Sequence, residues 1–154
     1  MGEVWFYHLT DSPLEDTLPA LLLRSLGRGM RVVVRGRDAA RLKWLDERLW
    51  LHPKDGFLPH GLAGGPHDAD QPVLLTTAPG RPNGARFVMA VDGCGIAPGE
   101  LAEIERGFVL FDGNDPDALQ AARDGWRTLT GAGARAVYWA EAGGRWEKRA
   151  ESGA

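Results

Sequence analysis

The spacing of hydrophobic and polar positions changes several times along this chain, and each change marks an element. Val4 to Leu9, VWFYHL, is a short run rich in aromatic residues and reads as a buried first strand. Leu14, Leu18, Leu21, Leu22 and Leu26 then recur at helical spacing. Ser12 suits the N-cap of that helix, Pro13 its first position and Glu15 the reciprocal capping place. Pro19 should bend the helix or mark a start one turn later, and Gly27 or Gly29 should end it. Arg31 to Val34, RVVV, predicts a second strand. Asp38 caps a second helix with Leu42, Leu45 and Leu49 inward. From His52 to Gln71 the periodicity disappears among Pro53, Gly56, Pro59, Gly61, Gly64, Gly65 and Pro66, which predicts a long loop. Strands follow at Val73–Thr77 and Phe87–Val91, a short helix at Pro98–Glu105 and a fifth strand at Phe108–Phe111.

The most informative stretch comes next, DPDALQAARDGWRTLT from Asp115 to Thr130. Asp115 caps a helix with Pro116 in its first turn, and Gly131 and Gly133 offer places to end it. Leu119, Ala122, Trp126 and Leu129 make one apolar stripe, and Arg123 and Arg127 border it a turn apart. An aromatic ring flanked by two guanidinium groups suits a partner carrying an apolar side chain and carboxylates. The same pattern fits a core tryptophan beside two solvated arginines. Ala136 to Ala140 gives a last strand, and the polar stretch from Gly143 reads as a frayed end, with Trp146 able to pair locally.

Alternating strands and helices of this kind argue for an α/β fold with parallel pairing and right-handed crossovers. Residues 1–142 read as one α/β domain and 143–154 as a polar C-terminal tail. At 154 residues the chain can bury a real core without staples. A formal net charge of −3 argues against a surface that grips nucleic acid all over. The one cysteine, Cys94, permits no intramolecular disulfide and makes a cytoplasmic home the default. No apolar run approaches the roughly 18 residues of a membrane span, and the N-terminus carries no signal-peptide pattern.

Candidate chemistry is sparse. Gly93-Cys94-Gly95 lies between a strand and a helix, where a phosphate loop could sit, but no Gly-Lys-Ser/Thr follows. A tight left-handed turn accounts for it, leaving a nucleotide-binding or hydrolytic domain as the alternative. His60, His67, Asp68 and Asp70 match no metal-ligand spacing and fit a solvated loop. Cys94 has no base nearby in sequence and reads as a buried thiol. His8, at the end of the first strand, could be a general base, though a lone histidine there is more often structural.

Several stretches together resemble the chi subunit family of bacterial DNA polymerase III. Leu45-Asp46-Glu47-Arg48-Leu49-Trp50, Phe57-Leu58-Pro59-His60 and Gly61-Leu62-Ala63-Gly64 are similar to that family's central run, in order and at its spacing. Phe6-Tyr7, Phe108-Val109 and Ala122 to Arg127 resemble its first strand, late strand and late helix. The resemblance implies a single three-layer α/β/α domain on a largely parallel or mixed sheet, like a nucleotide-binding fold without a phosphate loop. It implies no catalysis of the chain's own, no cofactor and no metal, and a cytoplasmic, replisome-associated location. Two partners follow from it: the acidic, Phe-ended C-terminal tail of single-stranded-DNA-binding protein, and the psi subunit of the clamp loader, with DNA reached indirectly. The family's tail-binding positions fall on Arg123, Trp126 and Arg127, with Val109 on the preceding strand. Trp126 stands where a tyrosine is known, keeping the ring without the hydroxyl. Trp50 and Phe57 are the candidates for a psi-facing surface; they serve equally well as rings that pin the long loop to the sheet.

Overall fold

The structure, a computed structural model, describes residues 2–51 and 58–153. Its centre is an eight-stranded sheet in the order β3-β4-β2-β5-β6-β1-β7-β8. The strands are β1 (Glu3–Leu9), β2 (Val32–Arg35), β3 (Gly61–Leu62), β4 (Val73–Thr76), β5 (Phe87–Ala90), β6 (Arg106–Asp112), β7 (Ala136–Ala142) and β8 (Arg145–Ser152). All neighbours pair in parallel except β7 and β8, which form an antiparallel ribbon at one edge.

Helices α1 (Leu14–Gly27) and α2 (Ala39–Leu51) cover one face, and α3 (Pro116–Gly131) covers the other. Strand alternation divides the chain between them. Tyr7 and Leu9 of β1 join Leu18, Leu22, Leu42, Leu45 and Leu49 on the first face. Val4 and Phe6 join Val109, Phe111, Ala122 and Leu129 on the second. The expected three-layer α/β/α domain with a mostly parallel, mixed sheet is the one found. Among the described residues no helix is long and apolar enough to cross a membrane.

Several local expectations are corrected. Ser12 does not cap α1; Pro13 holds that position without a side-chain bond, and the helix runs through Pro19. The second strand is shifted to Val32–Arg35, and the fifth long strand extends to Arg106–Asp112. The helix expected at 98–105 is a 3-10 turn, Pro98–Ala102. Inside the long loop lie a two-residue strand, β3, and a 3-10 turn at Asp68–Asp70. The polar stretch expected to fray is β8, paired along β7, and Trp146 packs edge-on against Tyr7 with ring centroids 5.1 Å apart.

Candidate functional site

The chain leaves β1 through α1 toward one side of the sheet, and leaves β6 through α3 toward the other. Their C-terminal ends therefore border the crevice where ligands of α/β folds usually sit. A cavity of about 670 Å³ lies there. Its charged lining is mostly acidic, including Asp11, Asp92, Asp112 and Asp115, and Arg41 is tied to Asp92 at 3.0 Å. The loop after β1, where a phosphate would be cradled, is already filled. The N–H groups of Thr10, Asp11 and Ser12 donate to Glu141 Oε1 at 3.0, 3.2 and 3.1 Å, and Ser12 Oγ donates to Oε2 at 2.8 Å. Burial pushes Glu141 upward, but these hydrogen bonds together outweigh it and hold its carboxyl below the usual range.

The Gly93–Gly95 stretch is a left-handed turn, with Asp92 at φ 53° and Gly93 at φ 83°. Burial raises the Cys94 thiol, as expected of an inert cysteine. An acidic crevice with its backbone donors consumed is poorly suited to a nucleotide's phosphates.

The other flank of α3 is different in kind. Asp115 Oδ1 accepts from the N–H of Asp117 at 3.0 Å, fixing where the helix starts. Its stripe then meets the sheet: Ala122 and Leu129 are buried, while Leu119 and Trp126 are half-buried. Trp126 stands edge-on to Phe6 of β1 and Tyr138 of β7, with centroids 5.5 and 5.9 Å apart. Two rings from two strands thus prop the indole at the boundary between core and solvent. Arg123, a turn before it, and Arg127, the next residue, are both exposed. Arg127 reaches only Asp124, at 3.8 Å between two exposed groups, and Arg123 forms no ion pair among the described residues.

Beneath this surface Tyr138 Oη lies 2.8 Å from His8 Nδ1. Burial lowers the His8 imidazole, with the Gly113 backbone opposing and Arg123 and Arg149 adding to the lowering. Burial also raises the Tyr138 phenol against the pull of Arg123. Gly113 has to be glycine here, because a side chain would run into the His8 ring.

The structure places Arg123, Trp126 and Arg127 on the outer part of α3, while Val109 is buried in the apolar cluster against which Trp126 packs. Val109 is buried under α3, at a separate 220 Å³ apolar cavity lined by Ala121, Ala122, Gly125 and Thr128. Its contact with the site runs through the seating of the helix. Tyr138 and Glu141 escaped the sequence reading, as did the partner of His8, because each contact joins residues more than a hundred positions apart.

The second candidate surface lies on α2. Trp50 is 54% exposed and Leu51 75%, and the Trp50 ring lies tilted against that of His60 with centroids 4.2 Å apart. His60 is no solvated loop residue. It is buried, with Nδ1 2.6 Å from the Leu58 carbonyl and Nε2 3.1 Å from the Asp46 carbonyl. It fastens the loop to α2. Phe57 lies outside the described residues. His67 and Asp70 are exposed and 4.0 Å apart.

Comparison with known proteins agrees with this architecture. Residues 1–136 match the family described as DNA polymerase III chi subunit, HolC. A Pseudomonas aeruginosa protein named DNA polymerase III subunit chi is 35% identical over 100 residues, covering 65% of this chain and 67% of that protein. A Rickettsia prowazekii protein named probable DNA polymerase III subunit chi is 24% identical over 104 residues, 68% of this chain and 60% of that one. With the family match spanning nearly the whole parallel sheet and α3, the chain belongs to the DNA polymerase III chi subunit family.

Proposed function

We propose that this replication accessory protein is a non-catalytic adaptor, which holds the acidic C-terminal tail of single-stranded-DNA-binding protein on α3. The tail is thereby linked to the polymerase III clamp loader, through psi where that subunit is present. The observation that carries the reading is a half-buried Trp126 propped by Phe6 and Tyr138, with the exposed Arg123 beside it, which forms no ion pair among the described residues. A tail ending in phenylalanine offers an apolar plug and a terminal carboxylate. The indole edge and Leu119 take the plug, and Arg123 holds the carboxylate through its planar fork.

Arg127, 75% exposed, meets upstream aspartates in high dielectric and adds to the rate of encounter more than to affinity. Val109 supports the site from below by seating α3. With so few anchors, binding should be micromolar, about −7 to −8 kcal/mol, and should weaken with salt. Trp50 and the neighbouring Leu51 supply the apolar patch for psi. DNA is reached through the bound partner.

The test is fluorescence anisotropy with a labelled peptide ending in Asp-Asp-Ile-Pro-Phe. Arg123→Ala should abolish measurable binding and leave the melting temperature within a degree or so, because the side chain is exposed. Unchanged affinity would reject the assignment.

A further inference from the structure

Arg123 is not the only guanidinium near the Tyr138–His8 pair. Burial is the larger cause of the lowered His8 imidazole, but Arg149 of β8 also lowers it, as Arg123 of α3 does. The other charged group acting on that ring is Asp112 of β6. The ladder places Arg149 next to Ala150, the partner of Tyr138. Tyr138 pairs with Ala150 but Trp139 pairs with Lys148, so Arg149 occupies the extra position of a bulge. Bulges re-aim side chains that strict alternation would send elsewhere. Arg149 pairs with Glu147 at 3.1 Å, yet both side chains are more than half exposed and the contact is easily exchanged. Arg123 and Arg149 stand on a chain of formal net charge −3, and β8 lies beyond the residues that match the family.

We propose that the β7–β8 ribbon completes the acidic-peptide site. Arg149, aimed by its bulge, and the Tyr138 hydroxyl, held at His8, extend the surface that begins at Arg123. The occupant is an acidic peptide whose upstream carboxylates lie in the angle between α3 and the ribbon, while its C-terminus stays at Trp126. The inference rests on the α3 reading above and adds a second wall to the same site.

The experiment uses the full chain and two labelled peptides, one ending in Asp-Asp-Ile-Pro-Phe and one with both aspartates replaced by asparagine. Arg149→Glu should weaken the acidic peptide by about three- to tenfold and leave the asparagine peptide nearly unchanged. Arg149→Gln should give a smaller loss of the same kind, and covers the case in which charge reversal disturbs the ribbon. Tyr138→Phe should weaken the acidic peptide by about twofold. If Arg123→Ala loses binding while neither Arg149 variant differs from the wild type with either peptide, the ribbon is not part of the site and the α3 reading stands. If the wild-type chain binds neither peptide, or Arg123→Ala binds normally, the α3 reading fails and this extension falls with it.

Discussion

The chain contains two tryptophans flanked by arginines on helices, and their neighbours differ. On α2 the guanidinium groups of Arg41 and Arg48 lie 4.5 and 5.5 Å from the Trp44 ring, so both cations rest on the indole they border. On α3 the Trp126 ring is taken by Phe6 and Tyr138, and Arg123 and Arg127 are left facing outward. The cause lies in the helix faces. Leu42, Leu45 and Leu49 already fill the buried side of α2, so Trp44 stands on the outer side. Beside Leu119 and Leu129 the inner face of α3 carries the small residues Ala118, Ala122 and Gly125, and Trp126 at its margin leans onto the sheet. A ring supported from below leaves its neighbouring cations off its face; an unsupported ring uses them as its own cover.

The largest test of that difference removes the support. Phe6→Ala should cost about 3–5 kcal/mol in chemical denaturation, because the ring is fully buried, and should release Trp126 as well. The next concerns the cations. Arg123→Ala should weaken the acidic peptide by at least about thirtyfold, a loss of roughly 2 kcal/mol, while Arg41→Ala and Arg48→Ala leave the affinity unchanged. Equal losses at all three would erase the distinction between the two helices.

A smaller effect comes from the carboxylate that ties β7, and with it Tyr138, to the loop after β1. Glu141→Gln should lower stability by about 1 kcal/mol, the hydrogen-bond scale reduced for an incompletely buried turn. Its pH signature follows from the lowered carboxyl. The folded value lies below the ordinary 4.5, so the contribution is fully present above that pH and is lost as pH falls through the folded value. The variant should therefore show a flatter acid limb than the wild type; identical limbs would mean that the four donors contribute nothing. The smallest effect belongs to Trp44→Ala, at most about 1 kcal/mol, since only a surface cation–π contact and partial burial are removed.

What could be read from the chain alone follows the range of each interaction. The cap at Asp115, the leucine stripe of α2 and the indole with two arginines are local patterns, and each is found where the spacing puts it. Ser12 looked like a cap because a local reading weighs only its neighbours, whereas its hydroxyl goes to a carboxylate on β7. The segment RWEKRAES has no apolar alternation to announce a strand, and β8 exists because the edge of β7 offers it a ladder. Val109 was grouped with Arg123 through the family resemblance, which does not say on which side of α3 each residue stands. Ala122, one residue before Arg123, turns inward to the cluster that holds Val109, and Arg123 turns out.

The most direct measurement is a two-dimensional NMR titration that follows the indole N–H signals of the six tryptophans as the acidic peptide is added. The Trp126 signal should move progressively to saturation, with Trp44 and Trp50 unmoved, and Arg123→Ala should remove the shift. A titration in which Trp126 stays fixed while the peptide binds, or in which Trp44 or Trp50 moves in its place, would contradict the assignment of α3 as the peptide-holding surface.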